Sequence, residues 1–251
     1  MRMICFGVKT RIKFVFRLAL IQMVTQNCIA QNSIESQDSV VFKLIELYHH
    51  SSGEYAEIYN GSEYINYAST IHEGHPYFAS DTITNGSVFY NNFWFQNIPF
   101  YYDIVNDELA VLSLNKGFFV RLKSNKVREF IINNHHFIRI EKNPQDPNAP
   151  ATGFYDLLYK GRVSVLVKRE KLIEEYIPEK EIQRRIRPRN FYYLKKDNRY
   201  YSVNKQKSVL NVFKDKKSEL RQFIKSNKKT FRNNYDYALG QIAAHYDQIT
   251  Q

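Results

Sequence analysis

The sequence predicts a mainly β protein of the α+β class, built as an antiparallel β-meander that forms a curled or barrel-like sheet. Tyr and Phe, which favour pleated and half-buried surfaces, number 19 and 18 among the 251 residues. From about residue 79 onward, short apolar runs alternate with turn dipeptides rich in Asn and Gly. This is the pattern of consecutive hairpins, and it indicates about ten or more strands. We also expect an N-terminal helix and a C-terminal pair of amphipathic helices.

Residues 1–30 have the layout of a secretory signal peptide. The segment contains five basic residues and no acidic residue, then a moderately apolar stretch that ends in Cys28-Ile29-Ala30. We therefore predict cleavage after Ala30, export to the periplasm or the medium, and one mature domain over residues 31–251. A buried N-terminal helix and a lipoprotein signal at Cys28 are alternatives. The cationic start is atypical of a core segment, and the residues before Cys28 are atypical of a lipoprotein site.

Cleavage at that position would remove every cysteine of the chain. Cys5 and Cys28 both lie in the leader. The mature protein is therefore expected to have no disulfide, no thiol nucleophile and no cysteine metal site. No other segment approaches the length of a membrane-spanning helix.

The elements follow from local patterns along the chain. Residues 36–48 place apolar side chains at helical spacing and predict the N-terminal helix. Residues 143–153 hold three of the seven prolines and predict a surface loop. The charged stretch 171–190 is expected to be an excursion from the sheet, and residues 206–250 are expected to be helical, with lysines opposite the apolar side. Asn and Gly tolerate positive φ, so hairpin turns are predicted at Asn85-Gly86, Asn91-Asn92, Asn106-Asp107, Asn115-Lys116-Gly117, Asn133-Asn134 and Asp197-Asn198.

The net charge of +11 is distributed unevenly. Residues 31–150 carry 8 basic and 14 acidic residues, whereas residues 151–251 carry 23 and 11. The densest basic run predicts an anion-binding surface formed by Arg184, Arg185, Arg187, Arg189, Lys195 and Lys196. Alternatively, these charges pair in solvent with the upstream Glu174, Glu175, Glu179 and Glu181. Because export separates the protein from nucleic acid, the expected partner is an anionic envelope component, either lipid head groups or acidic polysaccharide.

The stretch HEGHPYF, residues 72–78, invites comparison with a zinc protease. That motif needs two histidines four residues apart on a helix, whereas His75 follows His72 by three residues and precedes Pro76. We predict instead a turn that leads into a strand over residues 77–81. Hence no metal site, no cofactor and no catalytic residue is assigned.

Other polar residues are also interpreted without a catalytic role. The pairs His49-His50 and His135-His136 are interpreted as surface residues, because adjacent strand residues face opposite sides. The acids Asp103, Asp107 and Glu108 are in part explained by the predicted turn at Asn106-Asp107. There is no nucleophile elbow, phosphate-binding Gly-rich loop or dinucleotide fingerprint.

Several stretches resemble a family of exported β-rich proteins of Gram-negative bacteria for which no activity is established. They include YNGSEY (59–64), GHPYFASD (74–81), the Asn- and Phe-rich stretch 85–109, GFYDLLYKGRVSVLVKREK (153–171) and the C-terminal stretch 200–232. The resemblance implies export and a β-rich body with a helical tail. It implies no cofactor and no catalytic residue. Family members often have YDG where this chain has YNN at residues 90–92, an exchange of one turn for another.

These features together favour a non-enzymatic, exported structural or interaction module with a basic C-terminal surface. The alternatives are a periplasmic or secreted hydrolase and a binder of a small hydrophobic ligand, each with a pocket inside the sheet. A hydrolase would bring His72 and His75 together with an acid such as Asp103 or Asp81 in one cleft. An apolar, aromatic cleft would favour the ligand binder.

Overall fold

The computed structural model describes residues 57–250, apart from residues 147 and 179. This part of the chain belongs to one compact unit, Glu57–Gln251. The predicted signal peptide, the predicted helix at residues 36–48 and the pair His49-His50 lie outside the described residues.

The described residues form one antiparallel sheet of eleven strands, which confirms the mainly β fold. The strands are β1 (Ser62–Tyr64), β2 (Thr84–Tyr90), β3 (Phe93–Asp103), β4 (Glu108–Leu112), β5 (Phe119–Arg121), β6 (Val127–Ile132), β7 (His135–Ile140), β8 (Gly153–Lys160), β9 (Ser164–Tyr176), β10 (Gln183–Lys196) and β11 (Arg199–Ser202). Their order is β1-β5-β4-β3-β2-β6-β7-β8-β9-β10-β11, so most neighbours are consecutive in sequence. Within the described part the sheet is not closed, and β1 and β11 are its edge strands.

Most of the predicted turns are present. Both residues of Asn91-Asn92, Asn133-Asn134 and Asp197-Asn198 have positive φ, as two-residue hairpin turns require. Asp107 and Lys116 also adopt positive φ in the turns that flank β4. The loop predicted at residues 143–153 lies between β7 and β8.

The turn predicted at Asn85-Gly86 is wrong, because both residues lie inside β2. The pairing of β2 with β3 is irregular between Gly86 and Val88. A Cβ atom on Gly86 would lie 2.3 Å from the backbone oxygen of Ile131 on β6. The glycine therefore permits a close approach of two strands and does not form a turn.

The charged stretch 171–190 is part of a long hairpin, so its prediction as an excursion was wrong. β9 and β10 contain 13 and 14 residues and pair without interruption from Tyr176 with Gln183 to Ser164 with Lys195. β8 reaches only as far as Val167 along β9. The distal half of the hairpin therefore extends beyond β8.

One face of the sheet is filled by aromatic side chains. Tyr102, Phe130, Phe137 and Phe154 are each at most 1% exposed. Their ring centroids lie between 4.8 and 6.1 Å apart. The curvature of the sheet brings β3, β6, β7 and β8 together around this cluster, so the interior at this level is packed with side chains.

Residues 72–78, which we call the strap, link two distant parts of the sheet. At one end the backbone oxygen of Arg184 on β10 accepts a hydrogen bond of 2.8 Å from the amide of His72. At the other end the amide of Phe78 donates to the backbone oxygen of Tyr102 on β3, also at 2.8 Å. The HEGHPYF stretch is therefore a structural connection between β3 and β10.

The strand predicted at residues 77–81 is reduced to one bridge, in which Tyr77 pairs with Asp103. Ala79 has a φ of 55°, which interrupts an extended strand. The tyrosine ring stacks on that of Tyr101, with centroids 4.1 Å apart. The turn after Tyr77 therefore prevents the extended strand that residues 77–81 were predicted to form.

The C-terminal part is helical, as predicted, and is divided into four helices. They are α1 (Gln206–Val212), α2 (Lys217–Ser226), α3 (Lys228–Asn233) and α4 (Tyr235–Ile249). Asn234 begins α4 with its side chain accepting a hydrogen bond of 2.9 Å from the amide of Tyr237, as expected of an N-cap. The helical part buries apolar side chains such as Phe213 and Leu239 against the sheet, where they share one cluster with Val165 of β9. No helix of the described part is long and apolar enough to cross a membrane.

Candidate anion-binding surface

The six predicted anion-binding residues lie on two faces of β10. Because the pairing of β9 with β10 is uninterrupted, residues two apart share a face. One face carries Arg185, Arg187, Arg189 and Lys195, and the opposite face carries Arg184 and Lys196. The structure therefore places four of the six on one face, with Arg185, Arg187 and Arg189 next to each other and Lys195 farther along the strand.

Three of these arginines are paired with carboxylates. Glu174 accepts hydrogen bonds from Arg185 at 2.7 Å and from Arg187 at 2.9 Å, and Glu175 accepts one from Arg184 at 3.0 Å. The hydrogen bonds from Arg185 and then Arg187 lower the pKa of Glu174 to about 2. An anion that binds here must compete with carboxylates already in place.

The other three cations differ in their surroundings. Lys196 forms an ion pair of 3.1 Å with Asp215. Arg189 lies 5.1 Å from the ring centroid of Phe191, and Lys195 lies 5.3 Å from that of Tyr200. Arg189 and Lys195 are therefore the members of the predicted surface that have no carboxylate partner within the described part of the chain.

The helical part carries a denser positive charge than β10. Residues 205–232 contain ten Lys and Arg residues and two acidic residues, Asp215 and Glu219. Sequence reasoning placed lysines opposite the apolar side of these helices but assigned the surface to the contiguous arginine run. Helical spacing, rather than adjacency in sequence, was the pattern that could have identified this surface.

Five of these cations form a row that we call the helical stripe. It consists of Lys217, Arg221, Lys225, Lys228 and Arg232, spaced by four, four, three and four residues. Hydrogen bonds between residues four apart continue across the α2–α3 junction, from the Asn227 amide to Phe223 and from the Phe231 amide to Asn227, both at 3.1 Å. The five side chains therefore follow one side of a nearly continuous helix.

The helical stripe is free to meet a partner. Four of its members are exposed, and Lys217 is half-buried. None of the five forms an ion pair with any residue that the structure describes. The neighbouring Glu219 contacts Lys216 at 3.8 Å instead. The stripe thus has a high density of positive charge that no nearby carboxylate of the described part neutralises.

The histidines of the strap and His136 make structural contacts. His72 accepts a hydrogen bond from a backbone amide of β10, and His75 Nδ1 lies 3.5 Å from Lys171 Nζ. Burial and then Lys171 lower the pKa of His75. His136 pairs with Glu129 at 2.7 Å. In the described part, no three His, Cys, Asp or Glu residues are arranged to hold a metal ion.

Asp103 is a buried acceptor at the end of β3. Its carboxylate accepts hydrogen bonds from the hydroxyls of Tyr64 and Tyr67, each at 2.9 Å. It also accepts bonds from Asn106 and from the amide of Val105. Burial and then Asp103 raise the pKa values of both tyrosines. This set of donors stabilises the β3–β4 turn.

The other acids also have partners. Asp107 accepts from the hydroxyl of Tyr102 at 2.6 Å and forms an ion pair with Lys168 on β9. Glu108 pairs with Arg121 across β4 and β5 at 3.2 Å. Asp107 thereby ties the β3–β4 turn to β9. The remaining acid that we considered for a catalytic role, Asp81, is exposed.

A chain of charged groups that the sequence did not reveal links the sheet to α4. Asp156 accepts hydrogen bonds of 2.7 Å from His135 and from Arg169 Nε. Arg169 also bonds to Asp236 at 2.7 Å, and the hydroxyl of Tyr192 donates to the same carboxylate at 2.8 Å. These residues are far apart in sequence, so no local pattern points to their proximity.

Comparisons with known proteins assign no family to the chain. No protein-family model, no curated protein and no solved structure matches the chain. The resemblance to an exported family therefore stays a prediction.

Proposed function

We propose that the protein is an exported, non-enzymatic interaction module that binds an anionic component of the cell envelope through the helical stripe. The observation that carries this proposal is a row of five cations without an ion pair in the described part of the chain. A polyanion that follows the stripe would meet several positive charges in succession.

The helical stripe supports this function better than the predicted run on β10. Glu174 and Glu175 offset Arg184, Arg185 and Arg187, so binding there exchanges one set of charged contacts for another. On the stripe an incoming anion displaces mainly water and counterions. The resulting attraction is long-ranged and depends strongly on salt.

The contacts of the sequence-derived catalytic candidates also favour a binding module. Asp103 and Asp107 hold turns, and the strap with its two histidines connects strands. Tyr102, Phe130 and their aromatic neighbours fill the sheet interior. The proposed binding therefore takes place on the surface. If the protein is exported, an envelope anion is a more accessible partner than nucleic acid.

Binding to anionic probes across ionic strength tests this proposal. The probes are polygalacturonate and phosphatidylglycerol vesicles, with dextran and phosphatidylcholine vesicles as neutral counterparts. We expect binding to at least one anionic probe, weakening as salt rises, and no binding to the neutral ones. Equal binding to neutral and anionic probes, or binding independent of salt, would contradict the proposal.

A matched pair of variants locates the binding surface. One variant replaces all five residues of the helical stripe by Gln. The control makes the same change of net charge at exposed lysines elsewhere, namely Lys116, Lys123, Lys142, Lys160 and Lys180. We expect the stripe variant to lose about tenfold or more in affinity, and the control to lose much less. An equal loss in both would show that only net charge matters.

A further inference from the structure

A second group of positive charges lines a surface cavity formed by residues that are distant in sequence from the helical stripe. The cavity has a volume of about 380 Å³ and lies beside the β2–β3 turn and strands β6 and β7. That volume is at the small end of the range of ligand sites. The lining residues that matter for binding are Phe89, Asn92, Asn125, Arg128, Arg139 and Glu141.

Arg139 has a hydrogen-bond donor without an acceptor at this cavity. Its side chain is 15% exposed, and its Nε is buried with no hydrogen-bond partner in the described part of the chain. The nearest carboxylate oxygen, Glu141 Oε1, is 3.7 Å away, beyond hydrogen-bonding distance. A buried charged donor without a hydrogen-bond acceptor is unfavourable, so a negative charge close to this guanidinium group would offset part of that cost.

Arg128 is directed to the same cavity by an irregularity of the sheet. Glu129 pairs with Phe89 and Val127 pairs with Tyr90, so Arg128 is an extra residue in β6. A bulge of this kind redirects side chains. The guanidinium group lies 5.5 Å from the Phe89 ring centroid, and the side chain is 75% exposed. Its Nε lies 3.9 Å from Glu129 Oε1, beyond hydrogen-bonding distance. Two arginines therefore line the cavity.

The remaining lining groups suit a hydroxylated ligand. Asn92 and Asn125 are exposed, and their amides make no side-chain hydrogen bond with any described residue. Glu141 offers a carboxylate that can accept hydrogen bonds from hydroxyls, and Phe89 offers an apolar wall. A compact inorganic anion would leave these groups unused.

We infer that this cavity binds a carboxylated sugar residue of an acidic polysaccharide, with the sugar carboxylate on Arg128 and Arg139. The hydroxyls of the sugar bond to Asn92, Asn125 and Glu141, and its apolar face packs against Phe89. This inference rests on the proposed function and narrows the anionic envelope component to acidic polysaccharide. Pairing of guanidinium with carboxylate provides both charge and directionality.

Titration with a galacturonate trimer tests the inference, since a short ligand reports a single site better than a polymer. The comparison ligands are the neutral galactose trimer and inorganic phosphate. We expect the galacturonate trimer to bind, and Arg128→Gln to weaken it by about tenfold. The control Lys116→Gln makes the same charge change in the β4–β5 turn and is expected to leave the affinity unchanged. Arg128 is mostly exposed, so the variant should fold, which far-UV circular dichroism checks.

The outcomes separate this inference from the proposed function. Equal binding of the neutral trimer, tighter binding of phosphate, or unchanged binding by Arg128→Gln would each overturn the sugar site. Loss of trimer binding in the stripe variant but not in Arg128→Gln would also overturn it. If vesicles or long polyanions bind while the trimer does not, the sugar site is wrong and the proposed function stands.

Discussion

The side chain of Lys171 on β9 donates a hydrogen bond of 2.6 Å to the backbone oxygen of Tyr77 in the strap. It also donates to the backbone oxygen of His75 at 2.9 Å. The strap is therefore fastened to β9 in its middle, in addition to its two ends on β10 and β3. One half-buried amine thus supports the connection between distant strands.

The pKa of Lys171 makes this fastening depend on pH. Burial lowers the pKa from 10.5 to about 8 in the folded protein. Between these two values the unfolded chain binds a proton that the folded chain has lost, so the free energy of unfolding rises with pH. Urea unfolding at pH values from about 8 to about 9.5, below the titration of the tyrosines, measures this slope.

The variant Lys171→Met should flatten that slope. Its aliphatic chain retains part of the packing but has no ionisable group. The wild type should gain stability relative to the variant as the pH rises through this window. A wild-type slope no steeper than that of the variant would show that the lysine is not perturbed by folding.

Asp103→Asn is expected to destabilise the protein by about 1–3 kcal/mol. The carboxylate accepts hydrogen bonds from Tyr64, Tyr67 and the turn amides through both of its oxygens. The asparagine amide would replace one of these two acceptor oxygens by an NH2 donor. The exposed Asp81→Asn is the control and should change stability little. Equal midpoints of chemical unfolding for the two variants would contradict the assigned role of Asp103.

Arg169→Met should destabilise the protein by about 3–5 kcal/mol, because it leaves the buried Asp156 without its main partner. The comparison is Arg187→Met, which removes an exposed ion pair with Glu174 and should change stability by at most about 1 kcal/mol. Thermal unfolding of both variants checks this order. A larger effect at Arg187 would refute the account of the buried chain.

Gly86→Ala is expected to destabilise the sheet by about 1–3 kcal/mol. The added Cβ would lie 2.3 Å from a backbone oxygen of β6, which cannot move without disturbing the strand pairing. Gly117→Ala is the matched control, since its nearest neighbour would lie 3.4 Å away. Urea unfolding that shows the same stability for both variants would disprove the close approach at Gly86.

The turns and the start of α4 could be predicted from the sequence because local chemistry determines them. Asn91-Asn92 and Asn133-Asn134 form turns because asparagine tolerates positive φ, and Asn234 begins α4 because its side chain satisfies a free amide. Gly86 was misassigned because glycine in a turn and glycine at a close strand contact look alike in one sequence. The number of strands followed from these turns.

The candidate site was less accessible to sequence reasoning. The arginine run was visible, but its pairing with Glu174 depends on the register of β9 against β10. The cavity at Arg139 depends on a bulge and on three separate segments, and no local pattern encodes that proximity. Tertiary geometry decides which charges remain free.

Lysine footprinting by acetylation and mass spectrometry tests the role of the helical stripe most directly. The reactivities of Lys217, Lys225 and Lys228 are compared with and without saturating polygalacturonate, with Lys116 and Lys160 as internal controls. We predict protection of the three stripe lysines and unchanged reactivity of the controls. Uniform reactivity at the stripe while the polymer is bound, or protection confined to other surfaces, would contradict the account.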